Sequence, residues 1–154
     1  FFAVIGMIYE RTHTREVAKL GGLLKVMPFI STVFVIAGLC SLGLPGFSGF
    51  VAEMTVFMGS WERIGLLYRI ATIAGAASIV VTAVYILRAT GKSIMGPVAN
   101  QEFNGFSDAA WNEKLAAIVL VAGILIMGLA PFLLKDLINP GTEEIMQKIV
   151  SSIK

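Results

Sequence analysis

The chain has 154 residues, 56% of them hydrophobic and 14% charged, with a mean hydropathy of +0.84, whereas a soluble domain carries about a quarter charged residues. Such a composition predicts an integral membrane protein. The net charge of +2 comes from Lys and Arg scattered between apolar runs, which excludes a basic face for nucleic acid, and the single cysteine, Cys40, excludes a disulfide framework or a Cys-based metal cluster within the chain.

The chain opens at Phe1-Phe2-Ala3-Val4-Ile5-Gly6, already inside an apolar segment and with no basic stretch ahead of it, so a signal peptide is a poor reading. Residues 1–9 are expected to be the end of a transmembrane helix, and the chain the C-terminal piece of a larger protein. The run Glu10-Arg11-Thr12-His13-Thr14-Arg15-Glu16 cannot lie in hydrocarbon. It predicts a loop reaching Lys25, whose four cationic residues (Arg11, Arg15, Lys19 and Lys25) favour the cytoplasmic side. His13 reads as a solvated loop residue, with a proton carrier as the alternative.

Residues 27–60 hold the feature around which the rest is organised. Met27 to Leu44 is apolar and Gly46 to Gly59 is apolar, but Leu44-Pro45-Gly46 lies between them. Pro45 has no N–H and disfavours helix at Leu44, while Gly46 and Gly49 allow close backbone approach. The second piece, ~21 Å as helix, is too short for a hydrocarbon core of ~30 Å, so one discontinuous crossing is preferred to a hairpin. Unpaired backbone at membrane depth survives only when buried in protein or lining a wet cavity.

Gly46, Gly49, Phe50, Glu53 and Phe57 recur at three- and four-residue spacing and share a helix face. That face turns Glu53 towards a neighbouring helix and away from lipid, where a charged carboxylate would cost roughly 2.5 kcal/mol or more. Glu53 is the candidate proton-relay residue; the competing reading is a carboxylate that merely supports the break. Trp61-Glu62-Arg63 reads as an interfacial anchor. Residues 65–88 form the next expected crossing, rich in Ala, Gly, Ser and Thr, and Arg69 near its start is expected to snorkel or to pair with a carboxylate, a charge-relay role being the alternative.

Residues 88–114 read as a polar connection with an amphipathic element around Phe106 to Trp111. Residues 115–134 are the last expected crossing. In the tail, Asn139-Pro140-Gly141 predicts a turn and Thr142 the cap of an amphipathic helix over 142–153, with Ile145, Met146, Ile149, Val150 and Ile153 as its apolar stripe. The fold class expected from these elements is all-α, a polytopic transmembrane helix bundle with one discontinuous helix.

Several spaced motifs carry a resemblance. Gly6-Met7-Ile8-Tyr9-Glu10-Arg11-Thr12-His13-Thr14-Arg15, Gly21-Gly22-Leu23, Ser41-Leu42-Gly43-Leu44-Pro45-Gly46 and Gly49-Phe50-Val51-Ala52-Glu53 resemble, in this order, the M-type antiporter-like subunits of respiratory complex I. The resemblance implies the C-terminal part of a fourteen-helix antiporter-like fold, with Glu53 on its broken twelfth helix as the last protonatable group of a proton exit route. Sister subunits and Mrp-type cation/proton antiporters typically carry Lys at the matching place, so Glu53 argues for the M type; Ala52 departs from the family's usual Gly.

The function this implies is proton translocation within the membrane arm of NADH:quinone oxidoreductase, with no redox site in this chain. FMN, iron–sulfur clusters and quinone would belong to other subunits, and the expected partners are neighbouring antiporter-like subunits and the lipid bilayer of a bacterial inner membrane. An Mrp-type antiporter, a membrane-bound hydrogenase subunit and a purely structural subunit are the alternatives.

Overall fold

The apolar runs fold as helices. A computed structural model describes residues 1–153, and the side chains of all of these but residues 104, 134–137, 150, 152 and 153. The helices are α1 (Phe2–Thr12), α2 (Leu23–Val26), α3 (Pro28–Ser41), α4 (Ser48–Trp61), α5 (Leu66–Ile94), α6 (Trp111–Leu129) and α7 (Phe132–Ile153), with a 3-10 turn at Gln101–Gly105. Among the described residues there is no strand.

Helix α1 runs further into the polar segment than composition suggests, because its polar groups find partners. The Arg11 guanidinium turns back to donate to the Met7 carbonyl at 3.0 Å and reaches Glu113 Oε2 at 2.6 Å. The Thr12 hydroxyl donates to the Ile8 carbonyl at 2.8 Å. His13 then ends the helix in the left-handed conformation (φ 51°), its N–H donating to the Tyr9 carbonyl.

The expected run from Met27 is kinked at its start. Met27 itself is fully buried in a non-helical conformation, and Pro28 opens α3, where a missing N–H leaves nothing unpaired. The first amides of α3 are capped by a residue 79 positions away: Asp108 Oδ2 accepts from Phe29 N–H at 2.9 Å, and Oδ1 accepts from Ile30 N–H. A carboxylate here also complements the positive end of the helix dipole. Arg11 donates in turn to the carbonyls of Ser107 and Asp108. The Glu113 carboxylate, hydrogen-bonded to Arg11, raises the Arg11 pKa above its ordinary value, so the cation persists. One ion cluster thus ties the end of α1 to the starts of α3 and α6.

The core lies at this end. Val4 and Ile8 of α1, Leu23, Met27, Ile30, Val33 and Phe34 form one buried cluster with Ile94, Phe103 and Ala117. Beyond it α5 runs antiparallel to α3 and α4 in turn: Gly38 faces Ile86 and Thr90, Gly75 faces Phe57, and the Thr72 hydroxyl donates to Ser60 Oγ at 2.8 Å. Helices α5 and α6 are long and apolar enough to cross a bilayer, with windows of mean hydropathy 2.2 and 1.8. Their outer faces, including Val80, Val81, Val119 and Leu120, are exposed. At 14 residues each, α3 and α4 are ~21 Å long and neither spans ~30 Å alone.

Between them, residues 42–47 leave the helix. Gly43 (φ 65°) and Gly46 (φ 97°) take conformations that a side chain opposes, and Pro45 sits between them. The end of α3 tightens: Leu42 N–H donates to the Gly38 and Leu39 carbonyls and Gly43 N–H to that of Cys40. The interruption then rests on α6, where a Cβ at Gly128 would overlap the backbone of Gly46 and Phe47.

Four further segments depart from expectation. Residues 89–94 continue α5, because Ile94 and Ser93 are buried against the core. No amphipathic element forms at 106–111; Phe106 and Ala110 are extended, and the buried aromatic is Phe103 of the 3-10 turn. Helix α6 starts at Trp111 because Glu113 Oε2 accepts the Ala110 N–H at 2.7 Å, and it ends at Leu129, before Pro131. The tail has no turn at 139–141: α7 begins at Phe132 and passes through Pro140, and the Thr142 hydroxyl caps nothing but donates back to the Asn139 and Ile138 carbonyls. Ile145, Met146 and Ile149 are exposed, and the stripe's other two side chains, at 150 and 153, lie outside those described.

Burial separates the ion pairs, and backbone contact separates the glycines, by the cost of changing them. Arg11→Met removes the partner of a carboxylate that is 18% exposed and should cost the full-length subunit ~3 kcal/mol in thermal or denaturant unfolding in detergent. Lys19→Met, which breaks an exposed pair with Glu16, should cost less than about 1 kcal/mol in the same assay. Gly128→Ala should lose roughly 1–3 kcal/mol, since backbone cannot yield to the new methyl. Gly123→Ala, on the same helix with open space around it, should be neutral or stabilising by up to about 1 kcal/mol.

Candidate functional site

Glu53 lies in the second turn of α4, half-buried, with its carboxylate against Gly43 on the far side of the interruption. An ideal Cβ at Gly43 would coincide with that carboxyl group: its three nearest heavy atoms are Glu53 Oε2, Cδ and Oε1. Gly43 is not among the residues that helical spacing singles out. Its detectable signal is a third glycine, two positions before Pro45, at a place where a helix must end.

The face expected from the spacing is the inward one. Gly49, Phe50, Glu53 and Phe57 are half-buried while Ala52, Met54, Thr55 and Val56 are exposed. Each inward residue with a close neighbour meets a definite one. Gly49 packs on the Cys40 carbonyl of α3, with no room for a Cβ, and so belongs to the first turn of α4 as a point of close approach. Phe57 packs over Gly75 of α5. Cys40 Sγ and Ser48 Oγ lie 3.7 Å apart across the break, a weak hydrogen bond joining the two helices.

The structure does not bring the other candidates to Glu53. The Arg69 guanidinium lies over the Trp61 ring, 5.8 Å from its centroid, and makes no ion pair among the described residues. This is the contact of an interfacial cation with its aromatic neighbour. His13 is exposed, edge-on to Tyr9 at 6.2 Å, and sits at the opposite end of α3 from the interruption, ~20 Å away by helix length. Leu44 and Pro45 are exposed and Gly46 is half-buried, 3.8 Å from a Leu129 methyl when a Cβ is built on it.

The site therefore offers one carboxyl group beside a stretch of non-helical backbone, on a helix that packs against α5 and α6.

Comparison with known proteins gives the chain's family. The family described as "NADH:quinone oxidoreductase/Mrp antiporter, TM" matches residues 1–77, half of the chain, including α1, the interruption and Glu53. Curated relatives include proteins named NADH-quinone oxidoreductase subunit M from Rickettsia bellii (34% identical over 147 residues), Rhodobacter capsulatus (33% over 146) and Mycobacterium tuberculosis (30% over 148). Each match covers 95–96% of this chain but only 26–29% of the relative, so the chain spans less than a third of their length. The match over half of the chain shows that the chain belongs to the NADH:quinone oxidoreductase/Mrp antiporter transmembrane family.

Proposed function

We propose that the chain forms part of a proton-translocating membrane-arm subunit of NADH:quinone oxidoreductase, and that Glu53 is its relay group. The observation that carries this reading is the place of the Glu53 carboxylate, turned inward against the non-helical backbone at residue 43. A charge there is shielded from lipid, as function in a membrane requires. On this reading α3 and α4 are the two halves of a single discontinuous crossing within a fourteen-helix antiporter-like fold. Their successive packing along α5, one at each end, supports that view.

The relay works by alternation of environment. The carboxyl group would be presented in turn to a water path on one side of the membrane and to one on the other. Switching between the two moves a proton in one direction if each state opens to one side. The driving energy would come from NADH oxidation and quinone reduction in other subunits, which would hold the FMN, iron–sulfur clusters and quinone, so this chain would need no cofactor. Its partners would be the adjoining antiporter-like subunits, in a bacterial inner membrane.

The family's description also names Mrp antiporters, which leaves a cation/proton antiporter as the second reading. The relatives cited above are all named as NADH-quinone oxidoreductase subunits, which favours the first.

In sealed membrane vesicles carrying Glu53→Gln in the full-length subunit, NADH oxidation and the resulting pH gradient should both fall, on the order of tenfold, with normal assembly on native gels. Rates matching wild type would make Glu53 structural. Glu53→Asp, one methylene shorter, should serve poorly in the same assay.

A further inference from the structure

We propose that Gly43 is the positioning residue for the Glu53 carboxylate: the side chain it lacks leaves the space in which the acid rests. The inference depends on the relay reading and specifies what holds the relay in place. Gly43 stands just beyond the end of α3, at φ 65°, where a glycine is expected for conformational reasons alone. The surroundings add a second reason. The three heavy atoms nearest to a Cβ built there all belong to the carboxyl group of Glu53.

The glycines around it do different work. At Gly49 the nearest atom is the Cys40 carbonyl oxygen, at Gly128 it is the backbone of Gly46 and Phe47, and at Gly46 it is a Leu129 methyl. Those three set how closely chains approach. Gly43 alone among them makes room for an ionisable group, and that group is the end of a flexible side chain, able to swing away.

The two kinds of glycine should therefore fail differently. A methyl at position 128 meets backbone and strains the bundle; a methyl at position 43 meets the carboxylate, in addition to the backbone strain that any side chain carries at φ 65°. The carboxylate would move off the interruption, away from the non-helical backbone beside which it lies. Proton transfer depends on donor and acceptor lying within hydrogen-bond reach, so a displaced acid relays poorly although it is still present.

The reach also matters. Glu53 spans from the second turn of α4 to the end of α3, and an aspartate at the same place stops one methylene short of the Gly43 site. In the Glu53→Asp variant there is little left at that site for a methyl to displace.

The test is a double-mutant cycle in the full-length subunit within the assembled complex, read as NADH-driven proton uptake in sealed vesicles, with Gly43→Ala, Glu53→Asp and the double variant. Gly43→Ala is expected to lower pumping severalfold when Glu53 is intact and to cost much less when added to Glu53→Asp, the double variant exceeding the product of the single effects by about twofold or more. Equal fractional losses in both backgrounds would mean that only backbone strain at residue 43 matters, and would overturn the proposal. A second readout is the infrared band of the Glu53 carboxyl group, followed in both the carboxylic-acid and the carboxylate regions and assigned by its loss in Glu53→Gln. It should shift in Gly43→Ala; an unmoved band would likewise overturn the proposal. Should Glu53→Gln pump as well as wild type, the relay reading fails, and the infrared band still decides whether Gly43 positions the acid.

Discussion

Peptide groups that leave a helix lose their regular partners, and the packing at residues 42–47 answers to that constraint. Six residues leave the helix there, with two glycines in the left-handed region and a proline between them. Protein covers this segment in part: Gly46 and Phe47 are half-buried, while Leu44 and Pro45 are exposed. Gly128 of α6 supplies a flat place for the backbone of Gly46 and Phe47, Gly49 brings the first turn of α4 onto the Cys40 carbonyl, and the last turn of α3 tightens to use its own free carbonyls. Glu53 takes its position from the same packing, since the space against Gly43 exists only because the interruption does.

The other end of α3 is held by charge. Arg11, Asp108 and Glu113 join three helix termini that are remote in sequence, with the guanidinium shared between a carboxylate and three backbone carbonyls. Ion pairs of this kind are costly to desolvate and costly to break singly, which suits them to specifying one arrangement. Here the arrangement is the placing of α3: its N-terminus is anchored, its flanks are buried by α1, α5 and α6, and its C-terminus opens into the interruption. The buried core and the ion cluster lie at one end, and the candidate relay group at the other.

Much of this was legible beforehand. The membrane class follows from composition, and the interruption from Pro45 and its glycines, because a residue without an N–H at the centre of an apolar run has few other uses. Helical period places Glu53 with Gly49, Phe50 and Phe57 on one half-buried face of α4, while Val51, on the other side, is half-buried too and Val56, one turn from Glu53, is exposed. Helix limits were less legible. Residues 10–12 and 89–94 look like loop until their partners are known, and Pro140 looks like a stop signal although α7 passes through it.

Hydropathy, proline chemistry and periodicity are local properties, and they suffice to specify a membrane-embedded helical chain with a break after α3 and one carboxylate on the inner face beyond it. The identity of each group's neighbour came from the packing of separate helices. Asp108 caps a helix 79 positions away, Arg69 stacks on Trp61, and Gly43 receives Glu53. These pairings depend on how distant segments meet, and spacing along the chain carries no record of the distance between two helices.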